Sequence, residues 1–352
     1  MTQRWRVALS VLLLGVLCGA WFLPGNPWRT SKASPRHDRV GADSVERQGF
    51  AMGTYVRLLI HGRKGNEVAE MCLEELARLE TVFDRFKEGS EISQLNAQAG
   101  TGWVRVSEDL FAALEVALDV AERSEGALDP SVAPLVDLWG LRERDGRIPD
   151  HSPPSAEAIA QQLGYVNYQK IGINRLKQQV RLPQGMQLDM GAIAKGYALD
   201  RLVTLASAQG VQSALFDLGG NIRVIGTKPN RSPWHIALRH PRRLDDVFAV
   251  LPISGRAVAT SGDYQRFFFW EGQRYSHILD PRTGYSSSAM CSATVVAPTG
   301  VLSDALSTAA FVLGPEKGRA LVKSMPGVEA VFIDQQLRMS VTPGLEGLVA
   351  HL

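Results

Sequence analysis

Three short stretches carry side chains whose types and spacing could do chemistry. Residues 189–197 read DMGAIAKGY: a carboxylate (Asp189), a lysine (Lys195) and two glycines, with little bulk between them. Small residues let backbone amides approach a ligand, and the run opens a helix-like segment whose amino terminus carries partial positive charge. With Lys195 beside it, that arrangement suits a phosphate or pyrophosphate. Asp189 would repel such a group unless it bonds a ring or ribose, or helps to hold a cation. The second stretch is SDALST. Asp304, Ser307 and Thr308 stand at i, i+3 and i+4, so their oxygens share one helical face. A carboxylate with one or two hydroxyls is a hard-oxygen set suited to Mg²⁺, which shares its coordination with waters and ligand phosphates. The third is YSHILDPRTG, where His277 and Asp280 flank a strand end before a Pro/Gly turn. A histidine near its ordinary pKa could act there as a general base.

Each stretch also has an ordinary alternative. Residues 189–197 could be a tight corner, with Asp189 capping the helix and Lys195 solvated; the spacing is not that of Walker A. In SDALST, Ser303 could cap the helix, Asp304 could favour its dipole and the hydroxyls could bond the preceding turn. His277 could bond a carbonyl, and SGDY and DPRTG contain the residues that turns need. DLGGNIRVIG lacks Gly-x-Gly-x-x-Gly and continues as strand, which excludes a Rossmann site.

The elements that must position these groups follow from hydrophobic periodicity. SVERQGFAMGTYVRLLIHG alternates as a strand or hairpin. Val68, Met71, Cys72, Leu76, Leu79, Val82, Phe83 and Phe86 fall on one helical face. WVRV predicts a short strand, and Ser107 starts a helix that stops at Gly126. ALDPSVAPLVDLWG, with two prolines, reads as an ordered loop, SAEAIAQQLG as a short helix and GMQLD as a strand. KIGINRLKQQVRLP predicts a hairpin turning near residues 174–177, and SALFDLGGNIRVIG predicts two strands joined by a glycine pair. Residues 234–285 are mainly strand. CSATVVAP is then a strand, VLSDALSTAAFVLG and PEKGRALVKSMPG are helices, and VEAVFIDQQLRMSV is strand. Helices and strands segregate instead of alternating regularly. That predicts an α+β fold: one compact domain, an antiparallel sheet core and surrounding helices.

The chain has 352 residues, is 45% hydrophobic and 21% charged, and carries a net charge of +2. That composition fits a globular protein and excludes a basic nucleic-acid binder. MTQRWR precedes an uncharged apolar run at residues 7–23, about 17 residues, long enough for a secretory signal or a membrane anchor. Cleavage after Ala20 suits a signal; Cys18 invites a lipoprotein reading that Leu17 opposes. We therefore read residues 1–25 as signal or anchor, 26–42 as a polar linker and 43–352 as the folded domain. Beyond the leader only Cys72 and Cys291 remain, and no Cys-x-x-Cys or Cys/His cluster indicates zinc or a redox pair.

Taken together and in order, AMGTYVRL, SEISQLN, ALDPSVAPLVDLWG, DMGAIAKGYALD, DLGGNIRVIG, SGDYQRFF, YSHILDPRTG and SDALSTAAFVLG resemble the ApbE family, FAD:protein FMN transferases. The resemblance spans roughly residues 50–331. It implies FAD in a pocket walled by Met52, Phe86, Ala127, Leu128, Asp129, Asp189, Lys195, His277 and Leu279. It implies Mg²⁺ held by the Ala192 carbonyl, Asp304 and Thr308, with Ser307 adjacent, and His277 as the base. The implied reaction cleaves the FAD pyrophosphate, releases AMP and esterifies FMN to a Ser/Thr hydroxyl of a partner redox or assembly protein. With the leader, it implies work on the periplasmic side of the inner membrane. Many members carry tyrosine where this chain has Phe86, so ring stacking survives but a phenolic hydrogen bond does not. Two rivals stay open: an FAD pyrophosphatase giving FMN and AMP, and a non-catalytic periplasmic flavin-binding or maturation factor.

Overall fold

The computed structural model describes residues 44–141 and 152–351. The leader and linker readings lie outside the described residues. In chain order the elements are β1 (Ser44–Ala51), β2 (Thr54–His61), α1 (Gly65–Phe83), α2 (Glu91–Ala97), β3 (Trp103–Arg105) and α3 (Glu108–Arg123). Then come α4 (Ala133–Leu138), α5 (Ala156–Leu163), β4 (Gly172–Asn174), β5 (Gln179–Arg181), α6 (Ala194–Ala208), β6 (Ser213–Leu218) and β7 (Asn221–Ile225). They are followed by β8 (Trp234–Arg239), β9 (Val247–Ile253), β10 (Ala257–Gly262), β11 (Phe267–Trp270) and β12 (Gln273–Ser276). The last are β13 (Ser292–Ala297), α7 (Gly300–Lys323), β14 (Glu329–Ile333), β15 (Met339–Val341) and β16 (Ala350–His351).

The spine is an antiparallel eight-stranded sheet in the order β1-β2-β6-β7-β10-β13-β14-β15. Alternation assigns its faces. Val56, Leu58 and Ile60 of β2 and Ala214, Phe216 and Leu218 of β6 point to one side, where α1, α3, α6 and α7 bury the main core. The opposite side-chain set, including Val224, Val258 and Val331, packs under Trp234, Ile236 and Leu251 of the small β16-β9-β8 sheet. β13 is covered on both faces, and all six of its residues are buried. A third cluster centres on Trp139, whose Nε1 donates to the Gly284 carbonyl at 2.8 Å. It ties α4 and α5 to the strand end that carries His277.

Two hairpins use two-residue turns with positive φ at both positions, Met52–Gly53 (51° and 68°) and Gly219–Gly220 (62° and 93°). That is the type I′ pattern, whose twist matches the flanking strands. Met52 occupies a conformation uncommon for a side chain with a Cβ.

The α+β architecture agrees with the sequence expectation, and some local readings are corrected. α1 ends at Phe83, so Phe86 lies beyond the helical face read for it and is exposed. GMQLD is not a strand; among these residues only Gln187 forms an isolated bridge, to Val132. ALDPSVAPLVDLWG is not wholly loop, because α4 occupies residues 133–138, with Pro134 in its first turn where a missing N–H costs nothing. The two helices read at the carboxyl end are continuous except at Gly314, whose φ of 81° breaks the path before Pro315.

Candidate functional site

The site begins where α6 crosses α7. Both helices carry Gly-x-x-x-Asp near their amino ends, GYALD at 196–200 and GVLSD at 300–304. The two glycines touch: a Cβ on Gly196 would lie 2.2 Å from the Gly300 carbonyl oxygen, and one on Gly300 would lie 2.4 Å from that of Gly196. The aspartates then cap each other's helix. Asp200 accepts from the Gly300 amide at 2.7 Å and the Val301 amide at 2.9 Å, while Asp304 Oδ2 accepts from the Gly196 amide at 2.9 Å. These bonds satisfy amides that a helix amino terminus leaves unpaired. They also seat Asp304, 4% exposed, beside Lys195, whose Nζ stands 4.0 Å from Oδ2 and donates to the Gly191 carbonyl at 3.3 Å.

Hydroxyls complete the α7 side. Ser307 Oγ donates to the Asp304 carbonyl at 2.9 Å, so its contact with Ser261 Oγ at 2.9 Å must use the Ser261 proton. Ser261, having spent its proton, accepts from Thr308 Oγ1 at 3.2 Å. The relay Thr308 to Ser261 to Ser307 aims each proton inward and leaves the lone pairs of half-buried Thr308 directed away from those bonds. Ser307, 1% exposed, is engaged as both donor and acceptor, which separates it from Thr308. Among the described residues no donor reaches Asp304 Oδ1. The spare Asp304 oxygen and the Thr308 hydroxyl, one turn apart on α7, are hard-oxygen donors of the kind a small divalent cation takes.

The 189–197 loop is held from three sides. Asn96, at the end of α2, pairs with Leu188 as a strand would: its Oδ1 accepts the Leu188 amide at 2.7 Å and its Nδ2 donates to the Leu188 carbonyl at 2.9 Å. The Asp189 amide donates to the Pro130 carbonyl at 2.8 Å. Asp189 Oδ2 accepts from Arg85 Nε at 2.7 Å, and Oδ1 accepts from the Gly191 amide at 2.7 Å. Asp189 therefore caps a turn inside the loop. The helix itself begins later, at Ala194, with no side-chain cap on Ile193. Arg85 also forks onto Asp137 and lies 4.1 Å from the Phe86 ring centroid.

Ala127, Leu128 and Asp129 are all buried. Asp129 accepts from the amide and hydroxyl of Ser131 and from the Tyr168 amide, so its carboxylate braces the segment that offers the Pro130 carbonyl to Asp189. Burial pushes its pKa upward against those bonds. Leu279 packs in the Trp139 cluster, and Met52 packs against the main core from its hairpin turn.

His277 follows β12. Its amide and its Nδ1 both address the Arg266 carbonyl, at 2.9 Å and 3.2 Å. A carbonyl only accepts, so Nδ1 carries the proton and Nε2 keeps the lone pair that a base needs. Desolvation is the main force pushing this half-buried imidazole down to about 4, with the charges of Arg266 and Lys195 adding to it. Asp280 is not its partner; it is paired with Arg282 at 2.8 Å within the DPRTG turn.

Residues 52–332 match the profile of the ApbE family. The chain belongs to the ApbE family. Among its relatives, an FAD:protein FMN transferase of Treponema pallidum is 34% identical across 97% of this chain and 94% of its own. One from Escherichia coli K12 is 30% identical across 90% of both. The crystal structure of the ApbE protein of Thermotoga maritima superposes with a TM-score of 0.80 at 33% identity, covering 87% of this chain and 99% of that one. A flavinyl transferase ApbE of Pseudomonas stutzeri, in its apo form, gives 0.76 at 28% identity, covering 87% and 96%.

Within this ApbE chain, then, Lys195, Asp304, Ser307 and Thr308 meet at one helix crossing. Asp189 and Phe86 are joined through Arg85, Asp129 braces the segment whose Pro130 carbonyl holds the Asp189 amide, and the Lys195 charge is a minor contribution to the lowered pKa of His277. Sequence reasoning missed Arg85, Asn96, Asp200 and Ser261. Asn96 sits inside SEISQLN, Asp200 inside DMGAIAKGYALD and Ser261 inside SGDYQRFF, motifs that do not state their partners, and Arg85 lies just before SEISQLN, outside the motifs.

Proposed function

We propose that this chain transfers FMN from FAD to a serine or threonine hydroxyl of a partner protein in an Mg²⁺-dependent reaction. The observation that carries this reading is the Lys195–Asp304–Thr308 group at the crossing of α6 and α7, together with a histidine whose Nδ1 faces a carbonyl and whose Nε2 is left to accept a proton. Membership of the ApbE family supports it.

In this reading the Thr308 hydroxyl, Asp304 Oδ1 and the Ala192 carbonyl would hold Mg²⁺, with Ser307 and Ser261 orienting Thr308. The ion, when bound, supplies positive charge for the phosphoryl oxygens. Lys195, fixed by the Gly191 carbonyl and Asp304, neutralises charge that grows on the pyrophosphate as it breaks. His277 Nε2 takes the proton of the attacking hydroxyl, a contribution of ~10²–10⁴-fold in rate. The new bond joins that oxygen to the phosphorus of the FMN half, and AMP leaves with the bridging oxygen. Phe86 and the small-residue loop form the walls against which the dinucleotide lies. The apolar run at residues 7–23 places the domain on the periplasmic side in this reading, tethered or released, and protease protection in intact spheroplasts tests that placement.

The deciding experiment follows AMP from FAD with and without an acceptor protein. Transfer predicts AMP in step with protein-bound flavin. AMP released equally without acceptor indicates a pyrophosphatase, and FAD bound but never cleaved indicates a flavin carrier.

A further inference from the structure

Arg85 touches both the aromatic wall and the small-residue loop. It follows α1, its side chain is only 7% exposed, and it makes three contacts at once. Nε donates to Asp189 Oδ2 at 2.7 Å, the two terminal nitrogens reach Asp137 at 2.7 and 3.1 Å, and the guanidinium lies 4.1 Å from the Phe86 centroid. Asp189 is thereby engaged at both oxygens, because the other one holds the Gly191 amide. Two residues beyond Asp189 the backbone supplies the carbonyl that fixes Lys195. A planar guanidinium fork suits such a junction. It fixes direction as well as charge, and it stacks on a ring, which an ammonium group cannot do in the same geometry.

We propose that Arg85 is a positioning residue of the FAD site, tying the Phe86 ring and the Asp189–Lys195 loop into a single preformed wall. The proposal rests on the transferase reading for its ligand. Arg85 does not touch the reacting atoms; it holds the Phe86 ring and the Asp189 end of the loop before FAD arrives, while Lys195 keeps its own ties to the Gly191 carbonyl and Asp304, so its loss should fall on FAD binding more than on turnover at saturation.

The test uses the full chain with FAD, Mg²⁺ and an acceptor protein: flavin fluorescence gives Kd for FAD alone, AMP release with acceptor present gives KM and kcat, and thermal unfolding is the fold control. For Arg85→Ala we expect Kd and KM for FAD to rise about tenfold, the usual size of effect for removing an outer supporting group, with kcat within about threefold of the parent. Arg85→Lys should fall between, keeping charge without the fork. Asp137→Asn, which loosens only the 51% exposed arm, should leave Kd within about twofold of the parent. Hydrogen exchange at residues 189–196 should rise in Arg85→Ala with no ligand present. If Arg85→Ala does not fold, Arg85→Lys decides. A variant that folds and keeps the parental Kd and KM, or that loses kcat alone, overturns the proposal. A parent that fails to bind FAD overturns the transferase reading and this inference with it, whereas a parent that binds beside unchanged variants overturns only the role of Arg85.

Discussion

Asp200 accepts the amides of Gly300 and Val301 with both of its oxygens, whereas Asp304 accepts only the Gly196 amide, with one. The two residues stand at matching places on crossing helices, four positions after glycines that touch. One is consumed by capping and the other keeps an oxygen unbonded. In the proposed reading, stability and function divide between two aspartates in the same motif.

The division can be measured. Asp200→Ala strips two part-buried amides, and Arg223 at 3.4 Å, of their partner and should cost about 1–2 kcal/mol of unfolding free energy. Its cation dependence should stay near the parent's. Asp304→Ala should abolish cation-dependent stabilisation and AMP release together. Denaturant titration with and without Mg²⁺ separates them, and an Asp304→Ala protein whose stability still responds to Mg²⁺ would remove Asp304 from the cation site.

The glycine contact sets how closely those aspartates approach. In Gly196→Ala the new methyl meets the Gly300 carbonyl at 2.2 Å and Asp304 Cβ at 2.7 Å, and no side-chain rotation relieves a backbone clash. The helices must part, at a cost of about 1–3 kcal/mol, and Lys195 must move from Asp304 with them. Unchanged unfolding midpoint and unchanged activity in this variant would show that the crossing has slack the geometry does not suggest.

Ser261 tests the hydroxyl relay. In Ser261→Ala the Thr308 proton loses its acceptor and turns toward the Asp304 carbonyl, 3.5 Å away. The Mg²⁺ concentration giving half-maximal activity should rise about tenfold, as is usual when a ligand loses its orienting partner, and the Mg²⁺-induced thermal shift should shrink in parallel. Parental values in both assays would contradict the relay.

The helical half of the site was legible because its spacing is local. Asp304, Ser307 and Thr308 follow from 3.6-residue periodicity, and the turn chemistry of DPRTG and the glycine pair came through for the same reason. The loop's supports were not legible: Arg85 meets Asp189 across 104 residues and Asn96 meets Leu188 across 92, and no local pattern encodes such pairs. GMQLD shows what that costs. Met186 and Leu188 are buried, as an alternating strand requires, yet the polar partner of Leu188 is a side chain instead of a neighbouring strand. Alternation reported burial correctly and pairing incorrectly. Pro134 similarly suggested a break where it starts a helix.

His277 predicts a pH signature. Its pKa is lowered on folding, from 6.5 to about 4, so the neutral imidazole is favoured in the folded state. Its contribution to stability is therefore complete above pH 6.5 and is lost as pH falls toward 4. The acidic limb of kcat/KM, which reports the free enzyme, should lie nearer 4 than 6.5. Bound pyrophosphate adds negative charge and should move the limb of kcat upward. A free-enzyme acidic limb at 6.5 in the parent would contradict the environment assigned to this ring.

The central claim is that His277, Lys195 and the Asp304 group act together to move FMN onto protein. The most direct measurement incubates parent and His277→Ala chains with FAD, Mg²⁺ and envelope proteins from cells lacking the gene. Protein-bound flavin is then read after denaturation, and AMP is read in the supernatant. The parent should yield new covalently flavin-bearing proteins with equimolar AMP, while His277→Ala binds FAD and yields neither. AMP without protein-bound flavin, or transfer by the variant at the parental rate, would contradict it.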